Sequence, residues 1–382
     1  MTKEKIVFFG LSTEGYYLAS QMVINGADVR IIDESSSSAI LLTPEIAKTY
    51  SNVTSLREDE PLLAMEPSNI AISKAKYLFF TPRIRKTGHD LKTEVNSKFK
   101  DAVGELKEDS SVINCLATGF NGNNENISLL KHVTGFEVGP TKSKSAKSIS
   151  YFYFPLHDLN NTPEAIGSLK TTDGKNLLAL LKIDKKEKKF VDISSAEYLH
   201  AINTIQRFSS LCSILEVCKL IKNGAKHTTL FNDFKNIYLD DMITGLYDLH
   251  MLGSSFENAQ TLMYLINGSI RGINGYVKRL IDAIRITLKK NELKASKTKI
   301  VLSWTLDTNE MRGDKIEMLD TIASKLRDYI GDVETSTGSV DLFHHDKTTI
   351  VVACSNSDYK KIKESQKDED IFVIKANPLC EI

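Results

Sequence analysis

The chain has 382 residues, too many for one ordinary hydrophobic core, so two or three domains are expected. Hydrophobic residues at 41% and charged residues at 26% are the proportions of a folded globular protein, and no segment approaches the roughly 18 consecutive apolar residues of a membrane span. Forty-nine basic residues balance forty-nine acidic ones, which leaves no global field to attract nucleic acid or an anionic bilayer.

The first residues, Met1-Thr2-Lys3-Glu4-Lys5, run straight into a short apolar strand wrongly flanked for a signal peptide, and a cytoplasmic location is expected. Residues 5 to 33 then alternate as a βαβ unit: Ile6-Val7-Phe8-Phe9, a glycine turn, a helical pattern through Tyr17, Leu18 and Met22, then Gly26 and Val29-Arg30-Ile31-Ile32. Similar apolar runs follow at Tyr77-Leu78-Phe79-Phe80, at Ser111 to Leu116 and at Tyr151-Phe152-Tyr153-Phe154. Continuous apolar runs suit strands buried on both faces, so a mostly parallel, doubly wound sheet is expected over about the first 190 residues. From Ser194 the period becomes helical, over 194 to 224 and 256 to 290, with Ser194 or Ser195 a plausible N-cap. Strands return at Lys299 to Trp304 and Thr348 to Ala353, around a helical run from Lys315 to Tyr329. The organisation expected is α/β: a Rossmann-type domain at 1–192, an all-helical middle domain at 193–294 and a smaller, Rossmann-like α/β domain at 295–382.

The five cysteines (Cys115, Cys212, Cys218, Cys354 and Cys380) are scattered and never paired as C-x-x-C, so they read as free thiols. His344-His345-Asp346 invites a metal reading, but adjacent histidines without a second pair nearby read as solvated, and no metal site is expected. Lys185-Lys186-Glu187-Lys188-Lys189, and Lys142, Lys144 and Lys147 among serines, read as solvated turns.

The segment Gly10-Leu11-Ser12-Thr13-Glu14-Gly15 is the feature that carries chemistry. A dinucleotide needs backbone N–H groups at a helix N-terminus to approach its pyrophosphate, so bulky side chains must be missing there. Gly10 supplies the tight turn, Gly15 lets the helix pack on the strand, and Ser12 replaces the middle glycine with a small hydroxyl. Asp33, eighteen residues beyond Gly15, stands where a carboxylate accepts hydrogen bonds from both adenosine ribose hydroxyls and repels a 2′-phosphate, which favours NAD over NADP. Glu14 argues the other way, for a Rossmann-like unit that has lost its nucleotide.

With this order in view, the chain resembles the UDP-glucose/GDP-mannose dehydrogenase family, UDP-N-acetylmannosamine dehydrogenases included, over nearly its whole length. Thr81-Pro82 is similar to that family's Thr-Pro beside the nicotinamide ribose, Leu306 to Arg312 to its "K-P-n-T-D-D-m-R" motif, and Ile350 through Tyr359 to its last strand and "W-x-E-F" segment. The resemblance implies NAD held by Gly10, Ser12, Thr13, Gly15, Asp33, Thr81 and Pro82, a nucleotide sugar as substrate, a place in polysaccharide biosynthesis, and a dimer built on the middle helices. It also implies oxidation of a sugar alcohol to a carboxylate in two hydride transfers, through a cysteine thioester.

The catalytic groups of that chemistry are replaced here. The family's "G-G-S-C-F-P-K-D" loop falls on Leu252 to Ala259, putting Ser255 at the cysteine, Asn258 at the lysine and Ala259 at the aspartate. The "A-E-x-x-K-x-x-x-N" helix start falls on Ala196 to Thr204, with His200 at the lysine and Thr204 at the asparagine, and Leu156 stands for the glutamate of "S-P-E". A serine hydroxyl without a neighbouring base is a poor nucleophile, so four-electron oxidation is not expected. Ser255 then reads as a turn or cap residue and Leu156 as core. His200 is either structural or the base of a single hydride step, with Asn203 and Arg312 as candidate substrate contacts. Two functions stay open: a diverged nucleotide-sugar dehydrogenase that binds NAD, or a non-catalytic binding or regulatory homologue, with a sister subunit supplying missing groups as a further option. The apolar stretch Leu262, Met263, Leu265, Ile266, Ile270 and Ile273 suggests a homodimer.

Overall fold

The computed structural model describes residues 4–85, 90–139, 147–156, 165–169, 174–181, 189–220, 236–255, 260–336, 347–365 and 371–379. Asn258, Ala259, the His344-His345-Asp346 triplet, Cys380 and the lysines at 142, 144, 185, 186 and 188 lie outside them. The chain forms two compact units. The first comprises Met1–Asn203, His250–Glu257 and Asn309–Gly313, so the chain returns to it twice; the second comprises Thr204–Leu249, Asn258–Thr308 and Asp314–Ile382.

In the first unit the order is β1 (Lys5–Phe9), α1 (Thr13–Ile24), β2 (Asp28–Ile32), β3 (Ser38–Leu42), α2 (Pro44–Thr49), α3 (Val53–Glu58), β4 (Met65–Pro67), α4 (Ser68–Ser73) and β5 (Tyr77–Phe80). It continues with α5 (Asp90–Val103), β6 (Ser111–Asn114), α6 (Gly122–Thr134), β7 (Glu137–Val138), β8 (Ser148–Tyr153), β9 (Ala165–Ser168), α7 (Gly174–Leu181) and β10 (Lys189–Asp192). These ten strands make one sheet, ordered β10-β9-β8-β6-β5-β1-β2-β3-β4, with β7 beside β8. The core β8-β6-β5-β1-β2 is parallel, as their buried apolar runs require, while β3, β4 and β9 join antiparallel. Phe8 and Phe79 stack across β1 and β5 with centroids 4.6 Å apart. The chain runs outward from β1 through β2, then crosses back to β5 on the other side. A crevice at the carboxyl ends of β1 and β5 follows from that reversal, and open α/β sheets bind ligands there.

The helix α8 (Ile193–Leu220) begins just after β10. Its cap is Asp192, whose carboxylate accepts Ser195 N at 2.9 Å and Ser195 Oγ at 2.6 Å, so the helix starts slightly earlier than the serines alone suggest. Next come α9 (Leu239–Ile243), α10 (Leu246–Gly253) and α11 (Gln260–Lys290), as the helical period of the middle segment predicts. Then follow β11 (Thr298–Ser303), α12 (Asp314–Arg327), β12 (Val333–Ser336), β13 (Thr348–Ala353), α13 (Asn356–Ser365) and β14 (Ile371–Lys375). The last four strands form a parallel sheet, ordered β12-β11-β13-β14. Its fully buried Trp304 donates Nε1–H to Asp240 Oδ1 at 2.8 Å, which satisfies the one polar atom of that side chain. Among the described residues, no helix is long and apolar enough to cross a membrane.

Candidate functional site

Gly10 leaves β1 at φ 115°, where a side chain is strained, and a Cβ there would lie 2.1 Å from Thr81 O. The backbone of the β1–α1 turn therefore lies directly against the end of β5. Thr81, wholly buried, donates Oγ1–H to Gly10 O at 3.1 Å, and a Cβ at Gly15 would lie 2.5 Å from Thr81 Oγ1. Gly10, Gly15 and Thr81 are thus brought together, with Pro82 buried beside them. Ser12 is the N-cap of α1, its Oγ accepting Gly15 N at 3.2 Å.

Asp33 follows β2 and is 4% exposed. Its Oδ1 accepts Ser35 N at 3.0 Å, Ser35 Oγ at 2.6 Å and Arg83 Nη2 at 2.7 Å, and its Oδ2 pairs with Arg57. Burial alone would raise its pKa, but the Ser35 hydrogen bonds and the two guanidinium groups together hold it below the ordinary carboxylate range. Three donors crowd Oδ1 and one reaches Oδ2, so the carboxylate has room for one further donor on Oδ2. Sequence reasoning did not find Arg57 or Arg83, because neither belongs to the glycine motif. Arg83 also binds Glu34, and Lys98 bridges Glu34 and Glu94. Beside this cluster a cavity of about 530 Å³ opens over Phe9, Ile32 and Ile72, rimmed by Glu34, Ser97 and Lys98. Three apolar residues form its floor, and the rest of the lining is polar, with the carboxylates of Glu34, Glu94 and Asp101 among it. Asp33 has an acceptor position open beside this cavity, whereas the first turn of α1 is in contact with another part of the chain.

That part is Asn309–Gly313. Thr13 N donates to Asn309 O at 2.9 Å, Met311 N to Glu14 Oε2 at 2.9 Å, and Ile84 N to Met311 O at 2.7 Å. Arg312 is 7% exposed; it pairs with Ile84 as an isolated parallel bridge, and its guanidinium donates to Leu156 O.

Of the residues the resemblance aligns with the thioester chemistry, Ser255 and Leu156 have structural hydrogen-bond partners, while the buried Thr204 hydroxyl has none among the described residues. Ser255 donates Oγ–H to Met251 O at 2.7 Å, a hydroxyl turned back onto its own helix end, and a Cβ on Gly119 would meet Ser255 Oγ at 2.1 Å. Leu156 is buried, with its N–H on Cys115 O at 2.9 Å. His200 is 7% exposed and meets the edge of the Tyr153 ring at a centroid distance of 6.3 Å, whereas Asn203 on the same helix is exposed. The Cys115 and Cys354 thiols are wholly buried, and burial pushes both well above the range in which a thiolate forms. No group of His, Cys, Asp and Glu able to hold a metal occurs among the described residues.

A polar network under the sheet's carboxyl edge also escaped the sequence reading. Glu197, 4% exposed, accepts Asn121 N and Asn123 N, each at 3.0 Å, and Asn123 Nδ2 at 2.8 Å. Asn123 Oδ1 accepts Tyr151 OH at 2.6 Å and Asn114 Nδ2 at 3.2 Å. Burial raises the Glu197 pKa against the pull of these hydrogen bonds. The polar run Asn121 to Asn124 at a helix start was the available signal.

No protein-family model matches the sequence, and neither does any curated protein. The fold is nonetheless shared with solved structures. A UDP-D-ManNAc dehydrogenase from Pyrococcus horikoshii superposes with a TM-score of 0.68 at 14% identity, covering 99% of this chain and 96% of that one. A UDP-glucose dehydrogenase from Pyrobaculum islandicum gives 0.60 at 12% identity, over 97% and 86%. A UDP-N-acetyl-mannosamine dehydrogenase from S. aureus gives 0.58 at 13% identity, over 98% and 99%. The chain has the fold of nucleotide-sugar dehydrogenases.

Proposed function

We propose that this chain, with the fold of nucleotide-sugar dehydrogenases as its frame, binds NAD at the β1–α1 turn and does not carry out cysteine-dependent four-electron oxidation. The observation that carries the reading is the close packing of Gly10 against Thr81, with Asp33 and an apolar-floored cavity beside it. Asp33 would hold a ribose hydroxyl, the first turn of α1 the pyrophosphate, and Thr81 and Pro82 would flank the nicotinamide ribose. When bound, NAD supplies a hydride acceptor. His200 is the group of this chain able to take a proton from a CH–OH substrate in one two-electron step, with Asn203 and Arg312 as contacts for a nucleotide sugar. A homodimer on the middle helices accompanies this reading, supported by the exposed Tyr264 and Leu265 of α11.

A second reading is a non-catalytic homologue that keeps the fold and a binding role, alone or beside a sister subunit. It is favoured by Ser255, whose hydroxyl is bound to Met251 O, and by Leu156, which offers no proton-transfer group. Incubating purified protein with NAD and a panel of UDP- and GDP-sugars separates the two. NADH that forms with wild type and is lost in His200→Ala supports the two-electron enzyme, and no NADH with any sugar supports the binding homologue.

A further inference from the structure

The residues that follow β1 and β5 are bonded to a piece of this chain, Thr13 N donating to Asn309 O and Ile84 N to Met311 O. Asn309, Met311 and Arg312 are 4%, 0% and 7% exposed, and the Asn309–Gly313 segment is fastened at both ends. Asn309 Nδ2 donates to Thr54 Oγ1 at 3.1 Å, Arg57 Nη1 to Asn309 Oδ1 at 3.3 Å, and Arg85 Nη2 to Glu310 O at 2.8 Å. A loop merely draped over a surface keeps its backbone in water; this one has its backbone groups taken up by α1 and by the residues after β5.

The contact with α1 is the consequential one. A helix N-terminus binds phosphate through its first N–H groups, which have no partner inside the helix. In α1, Thr13 N is taken by Asn309 O and Gly15 N by Ser12 Oγ, while Tyr16 N already makes the first intrahelical bond, to Ser12 O. Glu14 adds a carboxylate to the same turn, 7% exposed and accepting Met311 N. A pyrophosphate arriving there must displace Asn309 O from Thr13 N and accept a like charge nearby. The cavity over Phe9, Ile32 and Ile72, by contrast, is lined by none of residues 309 to 313.

We infer that Asn309–Gly313 is an internal competitor for the pyrophosphate position, pinned there by Glu14, so that a dinucleotide binds only as the segment withdraws from α1. The inference rests on the dinucleotide-binding reading. Its mark is a division between ligands that share an adenosine: adenosine leaves the segment in place, and ADP-ribose displaces it.

Hydrogen exchange on the full chain, with and without adenosine or ADP-ribose, tests this together with calorimetry on wild type and Glu14→Val. In wild type, ADP-ribose is expected to speed exchange in the peptide spanning residues 309 to 313, while adenosine leaves it unchanged. In Glu14→Val that peptide exchanges faster without ligand, and ADP-ribose binds about tenfold more tightly while adenosine affinity stays within about twofold. If ADP-ribose binds wild type with the peptide as protected as before, or binds Glu14→Val no more tightly, the competition is overturned and the dinucleotide reading stands. If neither protein binds ADP-ribose at millimolar concentration, both fail.

Discussion

Asp33 shows how one residue changes meaning between sequence and structure. By position it is the ribose carboxylate of a dinucleotide site, expected to take both ribose hydroxyls. In the folded chain it is also the counter-ion of Arg57 and Arg83, with one acceptor position left. Those arginines lie 24 and 50 residues away along the chain, and no local pattern announces them. The pairing has a pH signature. Because the folded pKa lies below the unfolded value of about 4, Asp33 contributes stability that is complete above that value and is lost as pH falls through the folded pKa. Wild type is therefore expected to lose more stability than Asp33→Asn in denaturant titrations taken from neutral pH down to about pH 3. Parallel losses in the two proteins would show that the ion pairs add nothing. Ser255 is the converse case: the sequence reads it as a turn or cap residue, and its hydroxyl is bound to Met251 O at 2.7 Å at the end of its helix.

At the scale of elements, the strands made of continuous apolar runs were legible, whereas β9, buried at all four positions, is Ala-Ile-Gly-Ser and carries no such run. β1, β2, β5, β6, β8, β11 and β13 are apolar runs that only a buried strand explains. β3, β4 and β9 join antiparallel, and β12 carries two exposed residues among its four, so none has a distinctive period. The start of α6 makes the same point. Its N-cap residue, Asn121, sits at φ 60° without a side-chain cap bond, and the cap comes instead from Glu197 on α8, 74 residues from Asn123. A carboxylate at a helix N-terminus is favourable, and its removal leaves the buried Asn123 N–H and side-chain amide without that acceptor, while the N–H of the exposed Asn121 can turn to water. Glu197→Ala is expected to cost about 3 kcal/mol in urea unfolding, with Glu197→Gln recovering part of it. A loss within about 0.5 kcal/mol would mean that water replaces the carboxylate and that the network is not a clamp.

At the scale of the whole chain, the shared fold and the residues that depart from the motifs the sequence resembles are separate matters. Superposition over nearly the full length at 12–14% identity establishes the architecture, while Leu156, His200, Thr204 and Ser255 differ from the residues of the motifs the sequence resembles. The exposed apolar side chains Tyr264, Leu265 and Ile286 on α11 suit an interface between two copies. Light scattering is expected to give twice the 42.7 kDa chain mass at micromolar concentration, and Leu265→Glu to shift it toward monomer. A monomeric wild type would remove the dimer.

The measurement that bears most directly on dinucleotide binding is calorimetric titration of NAD into the purified full chain, paired with the thermal midpoint. The account predicts saturable binding of one NAD per chain, a raised midpoint, and weakening of both by Asp33→Ala. Absence of heat and of any midpoint shift at millimolar NAD, in wild type and in Glu14→Val alike, would contradict it.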